Sequence, residues 1–424
     1  MKIKNKSTYP TILLLAIMFF MPPSFGVTFD KTYGGSSWDY GDFFQLDDNG
    51  YVIVAGTQSY QSFTGYVGWL LKTDLNGNTC DYSSDGECTG TNVFVKRYGG
   101  MENFVRFDYL GKTSDEGYIM AGSKRQTAFS DPYFFLLKTD ADGNTCDFYT
   151  SGNCDGPGVF ARTFGNPTSL ITSAQQTSDG GYITLGSTYD AGLGLKLFKL
   201  IKFDSTGATC DISTTTTCEG PNSFVKFLNP GLSGKVFEAR YVQQTTDGGY
   251  LIAGNTNAFS GTANTWEKDN HIFLIKTDAN GNTCDFMAGN GVCENRALGQ
   301  FSRIFGRPYL GNNELYDEQG HYAQQTSDGG YVVVGSTSFL GPYAGFRRTW
   351  WDYPQAWIIK TDDYGITCDY STDGNCDGNI GGKKVFAKTL GRVYWNNANS
   401  VEQTSDGGYI IAAVSQVYCN EISY

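Results

Sequence analysis

The chain has 424 residues, too long for one small core and of a length suited to one large repeat domain. Its formal net charge of −12 repels nucleic-acid phosphates and anionic lipid, so neither is expected as a partner. Charged residues make up only 17%, while 54 glycines and 15% aromatics favour strands and tight turns over helices.

Residues 1–26 read as a secretory signal peptide. Lys2, Lys4 and Lys6 form a basic start, and "TILLLAIMFFM" is an apolar run too short to span a bilayer comfortably. Ser24 and Gly26 supply small residues for cleavage near Gly26 and Val27. No cysteine lies there, so no lipid anchor is expected, and no later segment is apolar enough to cross a membrane. The mature chain, residues 27–424, is expected to be a single exported domain, secreted, at the cell surface or periplasmic.

A repeat begins at once. Tyr51, Tyr118, Tyr182, Tyr250, Tyr331 and Tyr409 anchor copies 64 to 81 residues apart. Each copy has four strand-like pieces rich in Val, Ile, Phe and Tyr. Piece A ends in a turn, as in "AQQTSDGG", and piece B follows directly, as in "YVVVGSTS". Piece C is "WLLKTD", "FFLLKTD", "KLIKFD", "IFLIKTD" or "AWIIKTD"; piece D is "VFVKRYGG" or a relative of it. "SDGG" and "DANG" supply hairpin punctuation, because glycine accepts positive φ and Asp bonds its own backbone. Each copy is therefore expected to be a four-stranded meander. Six in series can stack face to face and bury both faces of every sheet, which predicts an all-β propeller of about six blades. A β-solenoid ranks lower, since its coils are much shorter than 64 residues.

The opening "VTFDKTYGG" (residues 27–35) matches piece D. Strands from both termini are therefore expected to share one blade and close the ring. The sixth copy stops after piece B, where "VYCNEISY" stands in place of piece C. An incomplete blade, a substitute strand and a truncated chain all remain open.

Between pieces C and D lie five cysteine pairs: Cys80 with Cys88, Cys146 with Cys154, Cys210 with Cys218, Cys284 with Cys293, and Cys368 with Cys376. Zinc needs four ligands at closer spacing, and the chain has only two histidines, so local disulfides in an oxidising compartment are predicted. Each closes a loop of about nine residues, worth roughly 2.5 kcal/mol by chain entropy. Cys419 is left over.

"TYGGSSWDYGDFFQLDDNGYVIVAGTQS" (residues 32–59) resembles the secreted prokaryotic β-propeller repeat known as SBBP, and the "QTSDGGYIVAGST" style of the later copies is similar to exported propeller arrays. The resemblance covers nearly all of the mature chain. It implies architecture and export, but brings no catalytic motif with it. The cysteine loops and the missing sixth piece C depart from the pattern.

Three features offer chemistry. Asp74, Asp140, Asp142 and Asp278 alternate with asparagines in the turn after piece C, a spacing that could converge on calcium. The pattern fails in the third and fifth copies, and a hairpin turn with Asx bonds explains the same residues. T-x-D-x-G, as at Thr326, Asp328 and Gly330, opens like a sialidase Asp-box but continues with Val332 and Val333. Glycoside hydrolysis needs two carboxylates across a cleft, and no pair stands out. The B–C connections vary most. The longest, "SFLGPYAGFRRTWWDYPQAW", carries Arg347, Arg348, Trp350, Trp351, Tyr353 and Trp357, and the fourth copy adds Trp266. Such side chains on a rigid scaffold suit sugar or protein recognition, or a plug over the ring mouth. His271 and His321 accompany no nucleophile motif.

The expected function is that of a non-catalytic extracellular binding or structural module, recognising protein or carbohydrate through the B–C loops. The alternatives are a secreted carbohydrate-active enzyme, and a subunit of an assembly completed by strand exchange at the last blade.

Overall fold

The computed structural model describes residues 30–60, 66–100, 104–125, 130–149, 152–164, 170–190, 195–210, 217–228, 237–259, 270–306, 317–338, 354–371, 374–391 and 396–415. The chain divides into two compact units, Met1–Ile171 and Thr172–Tyr424. The signal peptide and Cys419 lie outside the described residues.

The first sheet holds β1 (Asp39–Asp47), β2 (Gly50–Thr57), β3 (Val67–Asp74), β4 (Cys88–Thr89) and β5 (Phe94–Tyr98) in the order β1-β2-β3-β5-β4. The second repeats that order with β6 (Phe104–Lys112), β7 (Tyr118–Arg125), β8 (Tyr133–Thr139), β9 (Cys154–Gly156) and β10 (Val159–Phe164). The third has β11 (Leu170–Gln176), β12 (Tyr182–Asp190), β13 (Leu195–Phe203), β14 (Cys218–Gly220) and β15 (Ser223–Phe227). The fourth has β16 (Phe237–Gln244), β17 (Tyr250–Thr256), β18 (His271–Lys276), β19 (Cys293–Asn295) and β20 (Gln300–Phe305). The fifth has β21 (Gln319–Gln325), β22 (Tyr331–Thr337), β23 (Gln355–Thr361), β24 (Cys376–Ile380) and β25 (Lys383–Leu390). Two strands, β26 (Asn396–Gln403) and β27 (Tyr409–Ser415), form a sixth, separate hairpin. Among the described residues the helical content is one 3-10 turn, Arg296–Leu298.

The expected four-stranded meander needs correction. Pieces C and D are antiparallel neighbours, but no simple hairpin joins them. The chain leaves piece C, runs past the sheet edge and lays down a short fifth strand, which turns back into piece D. That fifth strand starts at the second cysteine of each pair. All five predicted disulfides form, with Cα–Cα separations from 5.8 to 6.1 Å. Each ties the outermost strand to the turn after piece C, holding an edge too short to persist alone. The opening segment also differs from expectation: residues 30–36 form no strand.

Within each unit consecutive sheets pack face to face. In the first, Val52, Val54, Leu70 and Phe94 of one sheet meet Val105, Phe107, Met120 and Leu137 of the next. In the second, Leu251, Ala253 and Leu274 meet Val333, Trp357 and Ile359. The valines of "YVVVGSTS" split by strand alternation: Val333 faces the fourth sheet, whereas Val332 and Val334 face the last hairpin.

Glutamines also join the sheets. The Gln175 Oε1 accepts from the Gln244 N–H at 2.6 Å, while the Gln244 Oε1 accepts from the Ser178 N–H at 2.7 Å. Gln243, Gln325 and Thr246 make the same reciprocal pair, as do Gln324, Gln403 and Ser327. Each amide satisfies a backbone donor that strand pairing leaves over. In the first unit Gln45 accepts from the Lys112 N–H at 3.0 Å, and the Lys112 ammonium takes the second role by binding Asp47 and Asp48.

Candidate functional site

The turn after piece A is built from four cooperating residues. In the fifth sheet Gly329 lies at φ +82°, the left-handed region that a side chain resists. A Cβ on the next residue, Gly330, would sit 2.3 Å from the Thr361 carbonyl oxygen, so β23 passes too close for any other residue. The Asp328 carboxylate accepts from the Thr326 hydroxyl at 2.6 Å and the Gly330 N–H at 3.0 Å. It also pairs with Lys360, whose buried ammonium donates to the Thr361 carbonyl at 2.7 Å. Burial pushes the Asp328 carboxyl up, but these donors together hold it below its ordinary value. Asp115 with Lys138, Asp179 with Lys202, and Asp247 with Lys276 repeat the arrangement. Thus the Lys of "KTD" and the Asp of "SDGG" are partners across the hairpins, a link invisible to local sequence reading.

The calcium candidates occupy Asx turns. Asp74 Oδ1 accepts the N–H groups of Asn76 and Asn78, both at 2.8 Å, and its Oδ2 accepts the Asn78 amide at 3.0 Å. Asp140 is bound likewise by Asp142 and Asn144, and Asp278 by Asn280 and Asn282. Asp204 and Asp362, whose turns lack those asparagines, accept the same two backbone donors. The feature common to all five copies is turn closure. Among the described residues no group of three or more His, Cys, Asp or Glu side chains gathers as a metal site.

The recognition candidates Trp266, Arg347, Arg348, Trp350, Trp351 and Tyr353 lie outside the described residues. Trp357 is no loop residue: it sits in β23, 1% exposed in the core, with its Nε1 donating to the Gly374 carbonyl at 2.9 Å. The strand ends from which their loops leave are described, and they carry buried polar side chains. His271 opens β18 and is 5% exposed; its Nδ1 lies 3.3 Å from the Glu318 Oε2. The Glu318 Oε1 accepts from the Thr337 hydroxyl at 3.2 Å, and the Asp317 Oδ1 accepts from the Asn270 amide at 2.7 Å. His271 is thus a buried strand-end residue beside a carboxylate.

Sequence reading missed a feature of the first strand of most sheets. Each of β1, β6, β16, β21 and β26 carries one β-bulge, and the extra residues are Asp42, Asp108, Arg240, His321 and Asn399. A bulge re-aims its side chain, as for Asp108, Arg240, His321 and Asn399, and the five bulges share one register. The signal that could have found it is the glycine of "YVVVGST". A Cβ on Gly335 would lie 1.7 Å from the Gln319 carbonyl oxygen, beside the bulge. In the second unit the extra residues of adjacent sheets interact. His321 Nδ1 is 3.2 Å from the Asn399 Oδ1. Burial, with the Arg240 charge adding to it, pushes the His321 pKa down to about 4. Behind them Tyr241 donates to the Tyr322 hydroxyl at 2.9 Å.

One cavity of about 370 Å³ opens between the third and fourth sheets, at the end of the strands that carries the A–B turns. Comparison with models of known families finds no match to this chain, and no curated protein matches it.

Proposed function

We propose that this chain is an exported β-propeller of the SBBP-like kind, non-catalytic, whose repeated sheets are scaffold and whose unrepeated B–C loops recognise a protein or glycan outside the cell. The observation that carries the reading is the commitment of the repeated carboxylates. Asp115, Asp179, Asp247 and Asp328 are bound to their own turns and lysines, and the five Asx carboxylates close their own loops. Groups so engaged stabilise turns and are poor acids, bases or ligands, so specificity falls to the segments that do not repeat. Five disulfides indicate an oxidising, extracytoplasmic location. Among the described residues no helix is long and apolar enough to cross a membrane.

Face-to-face packing within each unit supports the propeller, and so does the opening segment. The Tyr98 hydroxyl of β5 donates to the Gly143 carbonyl in the next sheet's turn at 2.6 Å. The Tyr33 hydroxyl donates to the Gly77 carbonyl of the first sheet at 2.7 Å, the same bond made from the opening segment. A preceding blade's piece D would make that bond, and its presence in the opening segment supports the reading.

A binding screen tests the reading. The mature protein is presented to arrays of glycans and surface proteins beside a variant lacking residues 339–353. Binding that the deletion abolishes without lowering Tm supports loop-face recognition; equal binding by both proteins refutes it. A second reading, assembly by strand exchange, is favoured by the last hairpin. Along β27, Ile410 is 53% and Val414 is 54% exposed, whereas the equivalent β22 is buried throughout. A second copy could pair with the edge of this hairpin. Light scattering that finds only monomer across a wide concentration range removes this reading.

A further inference from the structure

We propose that the cavity between the third and fourth sheets is a binding subsite for a neutral, hexose-sized polyol. It goes beyond loop-face recognition, because it lies at the opposite ends of the strands. Its volume, about 370 Å³, is at the small end for ligand pockets. Asp179, Lys202, Glu219, Asn222, Tyr250 and Asn280 line it, and Asn222, Asn280 and Tyr250 hold the polar groups not committed to ion pairs.

Tyr250 presents a hydroxyl to the cavity. It is 2% exposed, its ring is fixed edge-on to Phe224 at 5.9 Å, and its hydroxyl makes no hydrogen bond among the described residues. The equivalent Tyr118 hydroxyl accepts from Lys72 at 3.0 Å and donates to Asp47 at 3.1 Å. There a different sequence fills the space: Lys112 replaces the glutamine and binds Asp47, Asp48 and Glu116. Between the fourth and fifth sheets the 3-10 turn lays Arg296 over the Tyr364 ring, 4.2 Å from its centroid. Between the third and fourth sheets those two positions are Pro221 and Asn280, which leave the mouth open. The Tyr250 hydroxyl reaches that open space, where it can both donate to and accept from a ligand.

The lining selects the class of ligand. Asp179 is paired with Lys202 and Glu219 with Lys226, so the rim has balanced charges and offers no net charge to attract an ion. The Lys202 ammonium, only 5% exposed, sits behind them and disfavours a second cation. The amides of Asn222 and Asn280 and the Tyr250 hydroxyl both donate and accept, matching sugar hydroxyls that do the same.

Calorimetric titration with methyl glycosides of glucose, galactose, mannose and N-acetylglucosamine tests this, with lysine and inorganic phosphate as charged comparisons. One neutral glycoside is expected to bind saturably, either free or as the end unit of an oligosaccharide. Tyr250→Phe, which keeps the ring, should weaken it about tenfold, and Asn280→Ala should also weaken it. Deleting residues 339–353 should leave this affinity unchanged, so its fate is separable from that of the loop face. The proposal is overturned if no glycoside binds at tens of millimolar, if both variants bind like the parent at unchanged Tm, or if lysine or phosphate binds more tightly than every glycoside.

Discussion

His321 shows what a single residue experiences in this fold. As the extra residue of a bulge it is turned towards Arg240 and Asn399, and its Nε2 is buried without a hydrogen bond among the described residues. A proton added there would meet low polarity and a neighbouring guanidinium. The folded pKa, about 4, lies below the ordinary 6.5, so the folded imidazole stays neutral while the unfolded one takes up a proton. Stability is therefore full above pH 6.5 and falls as pH drops towards 4, by about 1 to 3 kcal/mol from this group. NMR titration of the imidazole should give a midpoint near 4, and His321→Gln should flatten that part of the stability profile. A midpoint above 6 would contradict the buried setting. The sequence showed this histidine as solitary; only the bulge gave it neighbours. The Asp and glycines of "SDGG", by contrast, were legible in advance, because turn chemistry acts within five residues.

Among elements, the disulfides and strands were legible and the order within each sheet was not. Alternating apolar residues announce strands whatever their neighbours, and five cysteine pairs at near-constant spacing announce local bridges. The fifth strand is only two to five residues long and carries no hydrophobic pattern, so pairing with piece D had to be seen. The glutamines tell a similar story. "QQTSDGG" reads as a polar lead into a turn, yet its two side chains bind neighbouring sheets. Gln243→Leu removes the acceptor of the Gln325 N–H and should destabilise the second unit by about 1 to 2 kcal/mol. Gln243→Glu keeps an acceptor and should cost less. Denaturant unfolding measures both, and equal losses would mean that the bond matters less than side-chain packing.

For the whole molecule, the opening segment offers a test of the proposed ring closure. Tyr33 packs with Tyr60 and Tyr82 on the outer face of the first sheet, over Ala55, Trp69, Leu71 and Val95. Tyr33→Phe keeps this packing and removes the bond to Gly77, at a cost of about 1 kcal/mol. If the segment serves as the last blade's outer strand, amides of β27 should also exchange faster in that variant. Hydrogen exchange reads the two ends separately; a change confined to the first sheet would argue against a shared blade.

The sequence by itself determined the all-β class, the repeat and its phase, the turns and the five disulfides, since each depends on residues close along the chain. The tertiary structure alone decided the fifth strand, the lysine–aspartate and glutamine links, the bulges and the cavity beside Tyr250. Those arise where chain segments tens of residues apart come within a hydrogen bond of one another, and no local pattern records which segments will meet.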